Sequence, residues 1–334
     1  MTTAAATMPA AVFAGPGRLE ILERPVPRLD SPLDVVLDVE ACGICGSDLQ
    51  ILSDPPRHPA KAGVVLGHEF VGVVAEAGSD VSDLRVGDRV VVAPNVSCGA
   101  CGPCRSGRRN HCERFTTLGI FADGGLAPKV RVPATQCHPI SAELPAYVAA
   151  LAEPLSTVVH GARQAAVFPG EVAVVIGAGP IGLMFIALLS LAGASVVAVE
   201  PAPERAALAE RLGATRVIPP GALLDAHADV VVDAVGSQLP AALDLVASGG
   251  RILLFGVDTR ARAEIAQEQI TRDELTILGS FVGQDVFPEA IRLLEQGRLH
   301  LEPLVTHRIG LEELPAAVDA LRAGSAVKVE VEPA

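Results

Sequence analysis

Hydrophobic and polar positions change rhythm twice along the chain. From Val35 to Val132 they roughly alternate in short runs between Gly- and Pro-rich turns, as in Asp34–Glu40, Val71–Glu76 and Arg89–Ala93. A period of two predicts a half-buried β sheet or barrel. After Pro154 the strands become unbroken: Val172–Ile176, Ser195–Val199, Asp229–Asp233, Arg251–Phe255 and Leu275–Leu278. Helical segments separate them, at Pro180 to about Ala192, at Pro203–Leu212 and near Leu239–Val246. Continuous Val/Ile/Leu strands alternating with helices predict a parallel sheet covered on both faces. From Phe287 the rhythm shifts again, to a helix (Pro288–Gln296), a strand (Leu304–Ile309), a helix (Leu311–Leu321) and a strand (Val327–Val331). This tail is too short for a core of its own. It is expected to pack back on the β-rich N-terminal domain, giving a discontinuous domain of 1–155 and 287–334 around an α/β domain of 156–286.

Two apolar segments need a separate reading. Met1–Val12 is small and apolar without a basic start, so it does not read as a secretory signal. A frayed terminus with the fold starting near Met8 is expected. Ile181–Val199 is apolar enough to mimic a membrane span, but Gly193-Ala194-Ser195 divides it and no basic loops flank it. It is expected to be a buried helix followed by a strand.

Composition narrows the class. The chain has 334 residues, 50% of them hydrophobic, which is ample for two buried cores. Net charge is −13, and no run of Lys and Arg could track a phosphate backbone. Nucleic acid and membrane surfaces are therefore poor partners. The seven cysteines are an odd number, and four of them lie between residues 98 and 112. That pattern suits metal binding in a reducing, cytoplasmic compartment better than a disulfide framework.

The first chemical motif is Gly177-Ala178-Gly179-Pro180-Ile181-Gly182, between a strand and a helix. Gly177 permits a tight turn, Gly179 lets a pyrophosphate approach the backbone, and Gly182 lets helix and strand pack closely. Pro180 suits the first helical position, and the helix start offers free N–H groups to phosphate. The next strand ends at Glu200, whose carboxylate can accept the adenosine ribose hydroxyls and would repel a 2′-phosphate. NAD is thereby favoured over NADP. Arg205 complicates this, because an arginine there could pair with a 2′-phosphate.

The second motif is Cys98-x2-Cys101-x2-Cys104-x7-Cys112. Four thiolates from one Gly-rich loop make a closed tetrahedral zinc site that staples a lobe, about 94–115, and leaves no position for a substrate. A zinc ribbon for nucleic acid would need stacking aromatics and a basic face; Arg105, Arg108 and Arg109 do not make one.

The third set is scattered: Cys45 within Gly43-Ile-Cys-Gly-Ser-Asp48, Glu153 before Pro154-Leu155, and the string Gly67-His68-Glu69-x2-Gly72-x5-Gly78-x2-Val81. That string resembles the zinc alcohol dehydrogenase signature, and the chain is similar to zinc-containing medium-chain dehydrogenases from about Pro9 to Val331. The four-cysteine lobe, Asp123-Gly-Gly125 and Gly279-Ser-Phe281 fit the same pattern. The resemblance implies a GroES-like catalytic domain interrupted by a Rossmann domain, with two zincs per chain, one catalytic and one structural, and NAD. It makes Cys45 and His68 ligands of the catalytic zinc. Glu153 is the third protein position, where alcohol dehydrogenases carry Cys and polyol dehydrogenases Glu. Glu69 is a second candidate, bound directly or one layer out. The implied reaction is hydride transfer from a zinc-bound alkoxide to nicotinamide, with Ser47 as relay hydroxyl. One departure stands out: many relatives end the relay on a histidine where this chain has Gln50, and an amide cannot titrate near neutrality.

The implied substrate is a small secondary alcohol or its ketone, of polyol, sugar or cyclitol type. A 3-hydroxy amino acid such as threonine is the second reading. An NADPH-dependent carbonyl reductase and a non-catalytic zinc- and NAD-binding protein are the rivals. With 3% aromatics, one Tyr and no Trp, a stacking pocket for flat aromatic alcohols is disfavoured. A homodimer or homotetramer is expected from the resemblance. Cys42, Cys137, His138 and His160 are read as packing residues, His58 as a loop residue, and His111 as a neighbour of the filled cysteine site.

Overall fold

The computed structural model describes residues 6–222 and 227–334, which divide into two compact units. Unit 1 comprises Met1–Glu153, Ala290–Glu295 and Val305–Ala334. Unit 2 comprises Pro154–Glu289 and Gln296–Leu304, so the short Gln296–Leu304 stretch groups with the α/β unit.

Unit 1 is built on the alternating pattern. A hairpin pairs Thr7–Gly15 with Arg18–Pro25, so the chain is already a strand one residue before Met8. Ala10–Phe13 are buried, with Val12 and Phe13 adding apolar bulk to the core beside the small Ala10 and Ala11; residues 1–5 lie outside the described ones. The main sheet runs in the order Val305–Gly310, Lys328–Glu332, Asp34–Gly43, Glu69–Ala77, Arg89–Val92, Cys137–Pro139, with Lys129–Pro133 also paired to Asp34–Gly43. The two C-terminal strands thus complete the sheet of the N-terminal segment. Leu37, Leu66, Phe70 and Leu126 are almost fully buried beneath it. Each contributes about 1.5–3 kcal/mol through removal of apolar surface from water.

Gly43 sits opposite Glu69 on one neighbouring strand and opposite Glu330 on the other. Three adjacent strands therefore bring two acidic positions to either side of a residue with no side chain.

Unit 2 is a six-stranded parallel sheet in the order Ala214–Ile218, Ser195–Val199, Val172–Ile176, Ala228–Asp233, Val246–Leu254, Thr276–Gly279. Numbered along the chain this is 3-2-1-4-5-6, the Rossmann order, in which dinucleotides bind where the order reverses. The reversal falls beside Val172–Ile176, the strand that feeds the glycine turn. Ile181–Val199 resolves into the helix Pro180–Leu191, a turn with Gly193 at φ 91°, and the strand Ser195–Val199. Among the described residues no helix is long and apolar enough to cross a membrane.

Some elements depart from expectation. The edge strand Ala214–Ile218 has no apolar run, because Thr215 and Arg216 face solvent. The strand foreseen at Arg251–Phe255 starts earlier, at Val246, directly after the helix Leu239–Leu245. The helix foreseen at Leu311–Leu321 begins with a tight turn at Leu311–Glu313 and is α-helical over Leu314–Ala323, with Pro315 in its first turn.

Candidate metal centres and cofactor cleft

In unit 2, the central strand ends at Ile176 and turns through Gly177 at φ 92°, a left-handed conformation that favours glycine. A Cβ on Gly182 would collide with the Gly177 carbonyl, so this position is glycine because helix and strand touch there. Gly179 is the extended residue before the helix, and Pro180 opens it. Nothing lies within 4 Å of where a Gly179 side chain would start, which leaves the backbone open to an approaching phosphate. Ile181 is half-buried in the first turn. The turn borders a cleft of about 550 Å³ that also meets Glu200, Arg205, Val235 and Leu245.

Glu200 is 5% exposed and already engaged. One carboxylate oxygen accepts the Ala178 N–H of the turn at 2.8 Å. The other accepts the Ala202 N–H at 2.9 Å and the Arg205 guanidinium at 3.0–3.1 Å. Glu200 and Arg205 are therefore one ion pair on the cleft wall, with the acid buried and the guanidinium half-exposed.

In unit 1, the sulfurs of Cys98, Cys101, Cys104 and Cys112 lie within 4.8 Å of one another. The short helix Gly102–Arg105 and the turn Arg109–His111 wrap the loop around them. Cys112 Sγ accepts the Cys98 N–H at 3.2 Å and the Arg114 N–H at 3.3 Å. Backbone N–H groups of Ala100 and Cys101 bring the Cys98 thiol down to about 5, while burial pushes Cys104 up to about 12. Four soft donors in one clasp fit zinc.

A second cluster forms at the top of the unit 1 sheet, where one ligand atom each from Cys45, His68 and Glu69 lie within 4.8 Å of one another. Cys45 follows the strand Asp34–Gly43 and precedes the helix Gly46–Ile51. His68 and Glu69 are set by Gly67, at φ 92°, which has room for no Cβ: one would strike Cys42 Sγ and Leu126. The Asp123-Gly-Gly125 motif locks the same stretch. Asp123 accepts the Val65 N–H at 2.9 Å, and the Gly124 and Gly125 N–H groups donate to Val65 and Gly67 carbonyls at 2.9 and 2.8 Å.

Asp48 was not singled out from the sequence, yet it is 2% exposed beside His68. Its Oδ2 accepts the Cys45 N–H at 2.9 Å. Its Oδ1 lies 3.7 Å from His68 Nδ1, and among the described residues neither atom has a hydrogen-bond partner. Ser47 Oγ lies 3.4 Å from the other ring nitrogen, Nε2. A carboxylate behind one imidazole nitrogen directs the other toward a metal. Burial alone would lower the His68 pKa, but Asp48, Cys45 and Glu153 outweigh it and hold it well above the usual imidazole value. So electronegative a pocket favours a cation, and the thiolate, imidazole and carboxylate donors fit zinc.

Glu153 falls outside the group of three, although it is buried at the start of the helix Ala152–Ala165. Burial pushes its carboxyl up to about 7, with His68 pulling it down. Lys328, also absent from the sequence reading, is 2% exposed and donates to Glu69 Oε2 and to the Ile44 carbonyl. Nothing in the sequence joined Lys328 to Glu69; the sheet alone brings them together. Asp48 did carry a signal, as an acid three residues after Cys45 on a short helix. Cys42 and Cys137 are buried, His160 is mid-helix and contacts Gln164, and His58 contacts the Pro59 carbonyl. His111 is exposed and His138 half-buried.

Comparison with known proteins agrees with this layout. A model of the alcohol dehydrogenase GroES-like domain matches residues 31–142, and one of zinc-binding dehydrogenase matches residues 180–296. The chain is 34% identical to D-arabinitol dehydrogenase 1 of Uromyces fabae over 99% of each protein. It is 32% identical to D-xylulose reductase A of Aspergillus niger, covering 95% of this chain and 94% of that one. A zinc-binding dehydrogenase from Sinorhizobium meliloti 1021, solved bound to NADP, superposes with a TM-score of 0.93 at 33% identity, over 98% of this chain and all of that one. The chain belongs to the zinc-dependent medium-chain dehydrogenases, with the expected GroES-like and Rossmann folds. It is an oxidoreductase whose cofactors are zinc and a nicotinamide dinucleotide.

Proposed function

We propose that this enzyme is a polyol dehydrogenase that oxidises a secondary alcohol of a polyol, sugar or cyclitol with NAD, and reduces the ketone in reverse. The carrying observation is the Cys45, His68 and Glu69 cluster, with a carboxylate in place of a second thiolate. The names of the arabinitol dehydrogenase and xylulose reductase relatives support the substrate class.

In this reading Cys45, His68 and Glu69 hold the catalytic zinc, and the four cysteines hold the structural one. Glu153, buried alongside and outside the group of three, is the nearby carboxylate rather than the third donor. Zinc, when bound, supplies a Lewis acid that lowers the pKa of a substrate hydroxyl toward about 7. Asp48 keeps the imidazole oriented. Ser47, whose hydroxyl lies 3.4 Å from His68 Nε2, takes the hydroxyl proton and passes it outward. A bound nicotinamide would supply the acceptor for the hydride that the substrate C–H gives up. The glycine turn binds the pyrophosphate, and Glu200 supports NAD over NADP even though Arg205 holds one of its oxygens.

The assembly proposed is a homodimer or homotetramer. The edge strand Thr276–Gly279 with the exposed Phe281 and Val257 supports it. Seven free cysteines suit the cytoplasm. A screen of NAD reduction over polyols, cyclitols, aminocyclitols and threonine, with zinc analysis, tests the reading. Turnover of a polyol or cyclitol by protein with about two zincs per chain is expected. Fully metallated protein that turns over only threonine, or only with NADP, would overturn it.

A further inference from the structure

Three ionisable side chains meet with almost no access to water. Glu69, Lys328 and Glu330 are 1%, 2% and 0% exposed. Gly43 lies opposite both acids across neighbouring strands, and Lys328 is two residues from Glu330, on the same sheet face. A Cβ on Gly43 would strike Glu69 Oε2 and stand 2.8 Å from Lys328 Nζ and 2.9 Å from Glu330 Oε1. The missing side chain is the notch that houses all three groups.

Their hydrogen bonding is unequal. Lys328 Nζ donates to Glu69 Oε2 and, at 3.0 Å, to the Ile44 carbonyl, which uses two of its three N–H donors. Among the described residues neither Glu330 oxygen has a hydrogen-bond partner. Burial holds the Glu330 carboxyl well above its usual value and Lys328 pulls it back down, so Glu330 takes up charge only as the ammonium comes to it. Lys328 therefore stands between a carboxylate it holds and a carboxyl group it does not.

We propose that Lys328 and Glu330 are positioning residues for Glu69: Glu330 is the alternative berth for the ammonium, and the shift of Lys328 from Glu69 to Glu330 frees Glu69 to serve the metal at Cys45 and His68. This rests on the reading of that cluster as the catalytic metal site. An ammonium bound only to Glu69 would draw charge from the donor and weaken it as a ligand. Glu330 pulls the ammonium the other way, so the cluster gains a carboxylate donor without leaving a buried lysine unpaired.

The test is zinc affinity at this site, read by chelator competition, and the absorption spectrum of the cobalt-substituted protein, with the four-cysteine lobe as internal control. Glu330→Gln leaves the ammonium with Glu69 alone. It is expected to weaken zinc at the Cys45 site by about tenfold or more and to shift the cobalt bands, with lobe zinc retained. The charge-neutral pair Lys328→Met with Glu330→Gln removes the competitor and restores affinity to the wild-type level or above. Unchanged affinity and an unchanged cobalt spectrum in folded Glu330→Gln would overturn the proposal. If Glu330→Gln fails to fold, the paired variant decides: affinity still weakened there would show that the triad only fills space. A wild-type protein holding zinc in the lobe alone would instead sink the metal-site reading itself.

Discussion

The two candidate metal clusters of unit 1 solve opposite problems with similar atoms. The lobe draws four identical donors from one loop, and its neighbours are backbone N–H groups that lower Cys98 to about 5. The Cys45 cluster draws three different donors from a strand end, a turn and a second strand. It is ringed by Asp48, Glu153, Lys328 and Glu330, all buried. A closed set of like donors makes a staple. A mixed set with spare charge and a neighbouring hydroxyl, Ser47, leaves a metal position for chemistry. On the proposed reading, what separates the structural from the catalytic site is the surrounding charge more than the donor count.

The strongest way to break this contrast is to disable each cluster in turn. Cys45→Ala is expected to cost about 4 kcal/mol of transition-state stabilisation, or about a thousandfold in kcat/KM, with zinc falling from about two to about one per chain. Retention of activity would place the chemistry elsewhere. Cys104→Ala should do the reverse. Loss of the lobe metal is expected to cost on the order of 4 kcal/mol, read as a drop in Tm of about 10 °C, while turnover of the surviving protein changes less than about tenfold. If Cys104→Ala abolished turnover at a temperature where the protein remained folded, the division of labour would fail.

A finer test concerns support. Asp48→Asn leaves every donor in place and removes only the charge behind His68 Nδ1. Zinc at the Cys45 site should bind about 10- to 100-fold more weakly, with lobe zinc unaffected. Equal affinity in both proteins would mean that the 3.7 Å approach of Asp48 to His68 has no bearing on the metal.

The same contrast explains what could be read without coordinates. The lobe was legible because its donors are contiguous, and the glycine turn because strand, turn and helix follow one another. Cys45 and His68 were legible through short strings whose glycines turn out to be packing constraints, as Gly67 against Leu126 illustrates. Glu153 and Glu69 both stand in the sequence as candidates for the third donor, and one Glu69 oxygen is the atom that lies within 4.8 Å of the Cys45 and His68 donors. The choice between them is a matter of ångströms, which spacing along a chain does not encode. Lys328 and Glu330 were invisible because the register of three strands, not any local motif, carries them to Gly43. In unit 2 the edge strand Ala214–Ile218 was missed because an edge can carry Thr215 and Arg216 outward and so loses its apolar signature.

Cofactor choice extends the comparison to unit 2, where an acid is again held by a cation. Glu200→Ala removes the carboxylate that accepts the Ala178 N–H and frees Arg205. Hydrogen bonds to a charged group are worth about 1.5–3 kcal/mol, so the NAD-to-NADP ratio of kcat/KM should fall by about 10- to 100-fold. A ratio unchanged by the substitution would show that Glu200 serves the turn and not the ribose.

The smallest expected effect concerns the proton. Gln50 is half-buried on the helix Gly46–Ile51, three residues after Ser47 and hence on a neighbouring position of the same helical face. Its amide does not ionise near neutrality, so the wild-type pH–rate profile should carry no limb from this position. Gln50→His places an imidazole, ordinarily titrating near about 6.5, one helical step from the Ser47 hydroxyl. In alcohol oxidation only the neutral ring can accept the proton. The variant should therefore gain a limb that rises with pH through about 6.5, with a rate gain of at most about tenfold above it. Ketone reduction should show the opposite slope, since there the protonated ring is the competent form. If both profile and rate stayed as in the wild type, the proton would leave Ser47 directly for water, and position 50 would have no part in separating the catalytic cluster from the staple.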